Sequence, residues 1–369
     1  MNLRKTPPWL VVLGLAAVVV AVVLIVIYRP LGNSAPRLRV DGNRLVDSTG
    51  RTVRLMGVNR SGAEFVCATS NGIWQGPVDN GSVKPMKDWN VRAVRIPLNE
   101  DCWLGINGIN PQYSGTAYRE AVERYVGVLK SNGIIPILDL HWSDGLWTGA
   151  GTTCVVPEAK CQKPMPDAAN APAFWESVAR SFANDMSVVF DLYNEPFPNQ
   201  IPGLSVDQSW VCWRDGGSAC PGLVYEAAGM QRLLDAVRGT GARNVVFATG
   251  NRFGNDLTQW YSHRLNDPTG NLAASWHVYD PSTCRDEACF DREVAPLATR
   301  VPVATLEFGQ FDCNVEFTEG VMNWLDARKV GYLAWTWNTW DCNQAGLITN
   351  YDGTPSTYGT GVRRHLRDQ

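Results

Sequence analysis

The sequence predicts an α/β fold: a (β/α)8 TIM barrel with an N-terminal β-hairpin cap, preceded by one transmembrane helix. Three observations lead there. Eight short apolar runs recur between residues 53 and 337, and their near-continuous apolar character suits parallel strands covered on both faces. Amphipathic segments lie between several of these runs, and this strand-then-helix rhythm fits closure into a barrel. Residues 9–28 form a run without a single charge. A doubly wound open sheet is the alternative, but no Gly-rich nucleotide turn follows the first strand.

In chain order, residues 1–8 carry Arg4 and Lys5 ahead of the uncharged run WLVVLGLAAVVVAVVLIVIY. At about 1.5 Å per residue that run reaches roughly 30 Å, the thickness of a bilayer's hydrocarbon layer. Trp9 and Tyr28 sit at its two ends, where aromatic rings favour the interface. The preceding basic residues place residues 1–8 in the cytoplasm, residues 9–28 across the membrane as a signal-anchor, and the rest outside. A cleaved signal peptide is the competing reading. Its apolar region would be shorter, and Asn33-Ser34-Ala35, followed by Pro36, is a weak cleavage site. Residues 29–36 read as a linker and 37–369 as the barrel, with the chain expected to be a monomer.

The ten cysteines agree with export, because an even number in a chain that leaves the cytoplasm suits disulfides. The neighbours 154/161, 212/220 and 284/289 read as loop clips, and the remaining four are assigned as 67 with 102 and 313 with 342. No C-x-x-C spacing occurs, so a structural zinc site is the weaker reading. The net charge of −3 comes from acids and bases spread along the chain, which excludes an electrostatic case for nucleic acid. Fifteen tryptophans and eleven tyrosines supply flat apolar faces, most for the core and some of the kind sugar rings stack on.

Residues 38–59 alternate and turn at Asp41-Gly42 and Thr49-Gly50, which predicts a hairpin at one end of the barrel. Strands follow at 53–58, 91–97, 134–140, 187–193, 243–249, 272–277, 301–306 and 331–337. Helices are expected at 116–131, 171–183, 223–238 and 316–328. The first is the clearest, with Val122, Tyr125, Val126 and Leu129 on one stripe and Asn132-Gly133 as its stop.

In a barrel of this kind the chemistry sits at the C-terminal strand ends. VVFDLYNEP, residues 188–196, leaves the core at Asn194-Glu195, and the seventh strand ends at Glu307. Two carboxylates facing one mouth, one protonated and one ionised, are what glycosidic cleavage requires. Arg95, Asp139, His141, Trp142, Thr249, His277, Tyr279, Trp335 and Trp337 close other strands.

The set NEP at 194–196, LDLHW at 138–142, WHVY at 276–279, LEFG at 306–309 and AWTWN at 334–338 resembles glycoside hydrolase family 5, the cellulase-like retaining glycosidases. The resemblance runs from about residue 38 to 360. It implies Glu195 as the catalytic acid/base, Glu307 as the nucleophile, and Arg95 as the cation that holds the nucleophile ionised. It further implies Asn194 at the sugar 2-hydroxyl, His141, His277 and Tyr279 around the cleavage subsite, and Trp335 as its aromatic floor, with Trp337 as second choice. It implies a polysaccharide or oligosaccharide substrate, with no metal or organic cofactor. AEFVC, NEDCWLGI and LAWTWNTWDC resemble an actinobacterial subgroup that includes galactofuranosidases.

Plainer readings stand beside these. Glu195 before proline is also what a helix start looks like, and Glu307 would serve as a structural partner for a buried arginine. Either histidine would serve as a hydrogen-bonded core residue, and core packing is the default for at least one of the two tryptophans. Asp139 is expected to make a structural hydrogen bond. The substrate expected is a β-linked glycan, either an envelope polysaccharide such as galactofuran or a cellulose- or mannan-type chain. The alternatives are a non-catalytic membrane-anchored glycan-binding protein and a transglycosylase in wall remodelling.

Overall fold

The computed structural model describes residues 34–151 and 155–369. The expected cytoplasmic segment, membrane span and most of the linker lie outside the described residues. Among the described residues, no helix is long and apolar enough to cross a membrane.

Hairpin strands β1 (Arg39–Asp41) and β2 (Arg44–Val46) come first. Eight strands then close a parallel barrel: β3 (Met56–Asn59), β4 (Ala93–Asn99), β5 (Ile135–Trp142), β6 (Val189–Asp191), β7 (Val246–Thr249), β8 (Leu272–Tyr279), β9 (Val303–Gly309) and β10 (Gly331–Ala334). Each pairs with the next, and β10 returns to β3. All eight expected strands are present, shifted by a few residues.

The hairpin caps the N-terminal end. Leu38 and Leu45 join Ile135, Ile137, Val189, Phe247 and Leu333 in one apolar cluster inside the barrel. Leu38 N donates to Met186 O at 2.8 Å, and Val40 N donates to Asn271 Oδ1 at 2.9 Å, which fixes the cap to the barrel wall.

The interior changes character in one step. Residues two apart on a strand share a face, so the apolar layer of Ala93, Ile137, Val189, Phe247 and Ala273 is followed towards the C-terminal mouth by Arg95, Asp139, Asp191, Thr249 and Ser275. All five of the latter are fully buried. A polar layer at that depth requires mutual pairing, because an unpartnered buried charge is costly.

On β9 an irregularity adjusts the register. Trp276 pairs with Thr305 but His277 pairs with Glu307, so Leu306 has no partner opposite it. A bulge of this kind re-aims the following side chain. Leu306 stays with the apolar interior cluster while Glu307 reaches the mouth.

Helices cover the outside. Thr116–Ser131 matches its expected bounds and buries Tyr118, Val122, Tyr125, Val126 and Leu129. Ala171–Phe182 and Glu316–Ala327 fall where expected. The helix expected at 223–238 begins only at Met230 and runs to Gly239. Residues ahead of it are tied to earlier loops instead: Ala227 bridges Asp167, Ala228 bridges Gly216, and the Tyr225 hydroxyl donates to Met165 O at 2.7 Å. Helices Asn80–Asp88, Val206–Asp215 and Thr357–Arg367 were not expected. The first contains Pro85, a residue that reads as a helix break.

Disulfides join Cys67 to Cys102, Cys212 to Cys220, Cys284 to Cys289 and Cys313 to Cys342, four of the five expected pairs. The fifth expected pair includes Cys154, which lies outside the described residues.

Candidate active site

The C-terminal mouth opens on a cavity of about 740 Å³ whose lining includes Glu195, Glu307, His141, Asn194, Tyr279 and Trp335. Six of the nine residues singled out in the sequence thus face one space. Its size lies in the usual range for ligand sites, roughly 300–1,000 Å³.

Arg95 lies beneath the floor, with no exposed surface. Its Nη1 donates to Glu307 Oε1 at 2.5 Å and to Asn59 Oδ1 at 3.1 Å; its Nε donates to Asp191 Oδ2 at 2.9 Å and its Nη2 to Asn194 Oδ1 at 2.9 Å. Asp139 Oδ2 is 3.0 Å from Nη2. One planar guanidinium therefore fixes five side chains from four strands and their ends, a task its rigid fork suits. Arg95 is thus the cation expected beside Glu307; it sits behind the cavity lining and acts on the site through Glu307 and Asn194.

Glu307 is 4% exposed at its side chain. Besides Arg95, it accepts a hydrogen bond from the Tyr279 hydroxyl at 2.7 Å. Two donors, one of them charged, suit a carboxylate in its ionised form. Tyr279 is held flat against Phe311, with ring centroids 5.3 Å apart and planes 7° from parallel.

Glu195 keeps 21% of its side chain open to the cavity and lies 3.1 Å from His277 Nδ1. Burial, and then the neighbouring Glu307 charge, hold its carboxyl well above the usual range, so it carries a proton near neutrality. His277 Nδ1 is also 3.8 Å from Glu307. An oxygen of each glutamate and a ring nitrogen of His277 all lie within 4.8 Å of one another. His277 is 1% exposed and, like Arg95, sits behind the carboxylates rather than lining the cavity. Burial, with the Arg95 charge, holds it well below the ordinary histidine value and so neutral.

His141 is also neutral, its pKa pushed by burial down to about 3. Its Nδ1 faces Asp139 Oδ2 at 2.7 Å, which assigns the proton to Nδ1 and leaves Nε2 as an acceptor towards Asn194 Nδ2 at 3.4 Å. Asp139 thus makes the structural hydrogen bond expected of it. Burial raises Asp139 to about 7 and Asp191 to about 8, against the opposing pull of Arg95.

Trp335 is half-buried and stacks on His141, with centroids 5.6 Å apart and planes 11° from parallel. Trp337 is a correction. It has no exposed surface, does not line the cavity, and packs edge-on against Trp89 at 4.9 Å. β10 ends at Ala334, so the strand alternation that would place 335 and 337 on one face does not extend to them, and Trp337 N donates instead to Asn59 O at 2.8 Å. The peptide between Trp335 and Thr336 is cis.

Several residues of the site were not singled out in advance. Asp191 was visible as a lone charge in an apolar strand, which is a signal in itself. Gln162, whose Oε1 accepts from Asn194 Nδ2 at 3.0 Å, and Asn199, Gln200, Arg252, Phe253 and Phe311 on the cavity wall come from loops without a periodic pattern.

Among the described residues, two further groups have metal-ligand spacing: Glu100, Asp101 and Asp144, and Cys284, Cys289 and Glu293. The second has no thiolates to offer, because its cysteines are joined in a disulfide.

Residues 46–341 match the family described as Cellulase (glycosyl hydrolase family 5). A manganese dependent endoglucanase from Phanerodontia chrysosporium is 24% identical over 210 residues, 54% of this chain and 44% of that protein, so the match spans less than half of that relative's length. Among solved structures, a β-glucanase from Saccharophagus degradans in complex with cellotetraose superposes with a TM-score of 0.68 at 18% identity, over 91% of this chain and 94% of that one. A mannanase catalytic domain from Streptomyces sp. SirexAA-E gives 0.62 at 19%, over 90% and 91%. The structural likeness shows the barrel, and the family match spans most of it: the chain belongs to glycosyl hydrolase family 5.

Proposed function

We propose that this chain is a retaining glycosidase that hydrolyses O-glycosidic bonds of a β-linked glycan by double displacement. The observation that carries the reading is that Glu195 and Glu307 face one cavity as a close pair, an oxygen of each lying within 4.8 Å of the other. Retaining enzymes hold their carboxyl groups about 5–5.5 Å apart, whereas inverting ones leave about 6.5–9.5 Å for a water between them.

In the first step Glu195 gives its proton to the glycosidic oxygen while Glu307 attacks the anomeric carbon, forming a glycosyl ester and releasing the leaving sugar. In the second, Glu195, now a carboxylate, takes a proton from water as that water displaces Glu307. The environments divide the roles: burial beside a like charge keeps Glu195 protonated, and Arg95 with Tyr279 serve a charged Glu307. Asn194 has its oxygen committed to Arg95 and one amide hydrogen to Gln162. The long contact to His141 is the one that a sugar 2-hydroxyl would replace, and such a bond strengthens in the transition state. Trp335 offers its face to the sugar ring.

The substrate we propose is an envelope polysaccharide, with galactofuran as the first candidate. The AEFVC and NEDCWLGI segments support this through their resemblance to the galactofuranosidase-containing subgroup. Residues 9–28, read as an uncleaved anchor, would keep the enzyme beside its own membrane. The β-glucanase and mannanase names of the structural neighbours make cello- and mannooligosaccharides the competing substrates. Incubating the protein and its Glu307→Ala variant with galactofuranoside, cellooligosaccharide and mannooligosaccharide panels decides between them. Turnover of glucan alone rejects galactofuran. A Glu307→Ala protein with full activity rejects the mechanism.

A further inference from the structure

We infer that Arg252 is a specificity-determining residue that receives a carboxylate or phosphate substituent of the glycan on its leaving-group side. This rests on the reading of Glu195 as the proton donor, since the leaving group lies against that residue.

The loop after β7 carries the position. Asn251 and Asp256 close it with two mutual backbone hydrogen bonds of 3.0 Å, and contacts at its tip tie it to the Glu195 side of the mouth. Phe253 N donates to the oxygen of Pro196, the residue after Glu195, at 3.0 Å. The Phe253 ring stacks on Phe197 at 4.3 Å. His277 N donates to Gly254 O at 3.0 Å, and a Cβ at Gly254 would lie 2.9 Å from the His277 ring. Arg252 and Phe253 are both in the left-handed region, at φ 54° and 57°. Side chains other than glycine rarely adopt that conformation, and consecutive outliers at a ligand site point to a functional constraint. Arg252 N donating to Asn251 Oδ1 at 2.7 Å and Asn255 N donating to Arg252 O at 3.1 Å hold the strained backbone in place.

The result is a half-buried arginine on the cavity wall whose guanidinium has no hydrogen-bond or ion-pair partner among the described residues. The acids lining the same cavity are Glu195 and Glu307 alone, and both have partners of their own, His277 for the first and Arg95 with Tyr279 for the second. His141, the remaining titratable base on the wall, is neutral. A glycan filling the mouth strips water from Arg252, and that is unfavourable unless the ligand supplies acceptors. A planar group with two oxygens matches the guanidinium fork better than scattered hydroxyls do.

The test uses the full chain and oligosaccharides prepared in three matched versions: neutral, with a uronic-acid carboxylate, and with a phosphate monoester. Affinity is measured by calorimetry for every version, and kcat/KM for whichever series is cleaved. We expect the wild type to favour an anionic version roughly ten- to a hundredfold, the worth of a charge-assisted hydrogen-bond pair. The preference should fall as salt rises from about 50 to about 500 mM. It should collapse in Arg252→Gln and survive in part in Arg252→Lys. The carboxylate and phosphate arms identify which group is taken. Equal affinity for neutral and anionic versions, or a preference that persists in Arg252→Gln, overturns the inference. Anionic preference in binding with no cleavage of any version would count against the glycosidase reading and leave Arg252 as assigned.

Discussion

Replacing Arg95 with lysine keeps the charge but removes the fork, and the structure sets what that costs. Arg95 serves oxygens on five side chains: Asn59, Asp139, Asp191, Asn194 and Glu307. A lysine ammonium has three donors radiating from one point, so at least two of the five acceptors lose their partner. Each stranded buried acceptor costs about 1–3 kcal/mol, more for a charged one, which gives a loss of about 2–6 kcal/mol. That is a large share of the roughly 5–15 kcal/mol that holds a domain folded. The loss also depends on pH. Asp139 and Asp191 have folded-state values raised to about 7 and about 8, so the folded protein binds protons that the unfolded chain has released. Raising the pH from about 4 to about 8 strips those protons, and the folded state loses stability across that window. In Arg95→Lys the stranded carboxyls lose the charged hydrogen bonds that favour their ionised form, so the deficit against wild type should be larger at pH 8 than at pH 5.5. Urea unfolding of both proteins at the two pH values is the assay. A difference below about 1 kcal/mol, or one that does not change with pH, would refute the view of Arg95 as the keystone of the polar layer.

Three further predictions follow from the same structure. Glu195→Gln should lower kcat/KM on natural glycans by roughly 10²–10⁴ and spare substrates with activated aryl leaving groups, which need no proton. The high-pH limb of the wild-type profile, set by the raised Glu195 carboxyl, should vanish in that variant. Glu64 is 2% exposed, accepts from Gly62 N at 2.6 Å, and is pushed by burial up to about 8. Its raised folded-state value makes wild-type stability decline as pH rises from about 4.5 to about 8, so Glu64→Gln should gain on wild type by a few kcal/mol at pH 9 and by little at pH 4.5, read from melting curves. Trp337→Ala should cost about 3–5 kcal/mol of stability, as for a fully buried aromatic ring, whereas Trp335→Ala should leave the melting temperature within a few degrees and raise KM.

Most of the barrel was legible in the sequence because its strands are buried on both faces and read as plain apolar runs. The catalytic candidates were legible for a related reason: Glu195 and Glu307 are charges that end such runs, and a charge there must leave the core or be paired. Asp191 carries the same signal within its strand, and it is resolved by pairing with Arg95 inside the barrel. Trp337 differs from its expected place because strand parity holds only as far as Ala334, where the strand stops. The helix at Met230–Gly239 is shorter than the pattern predicts because residues 223–229 look compatible with a helix, while their bonds go to Met165, Asp167 and Gly216 in earlier loops. Arg252, Phe253 and Phe311 come from irregular loops, where sequence carries no period and only the fold shows which residues meet.

The central claim is that Glu307 attacks the sugar directly, with no water between the two glutamates. Proton NMR of the first product formed, recorded before the sugar can mutarotate, tests it most directly. The account predicts that the new hemiacetal has the same anomeric configuration as the bond that was cleaved. An inverted first product would contradict it, because inversion makes the second carboxylate a base for the attacking water and not the nucleophile.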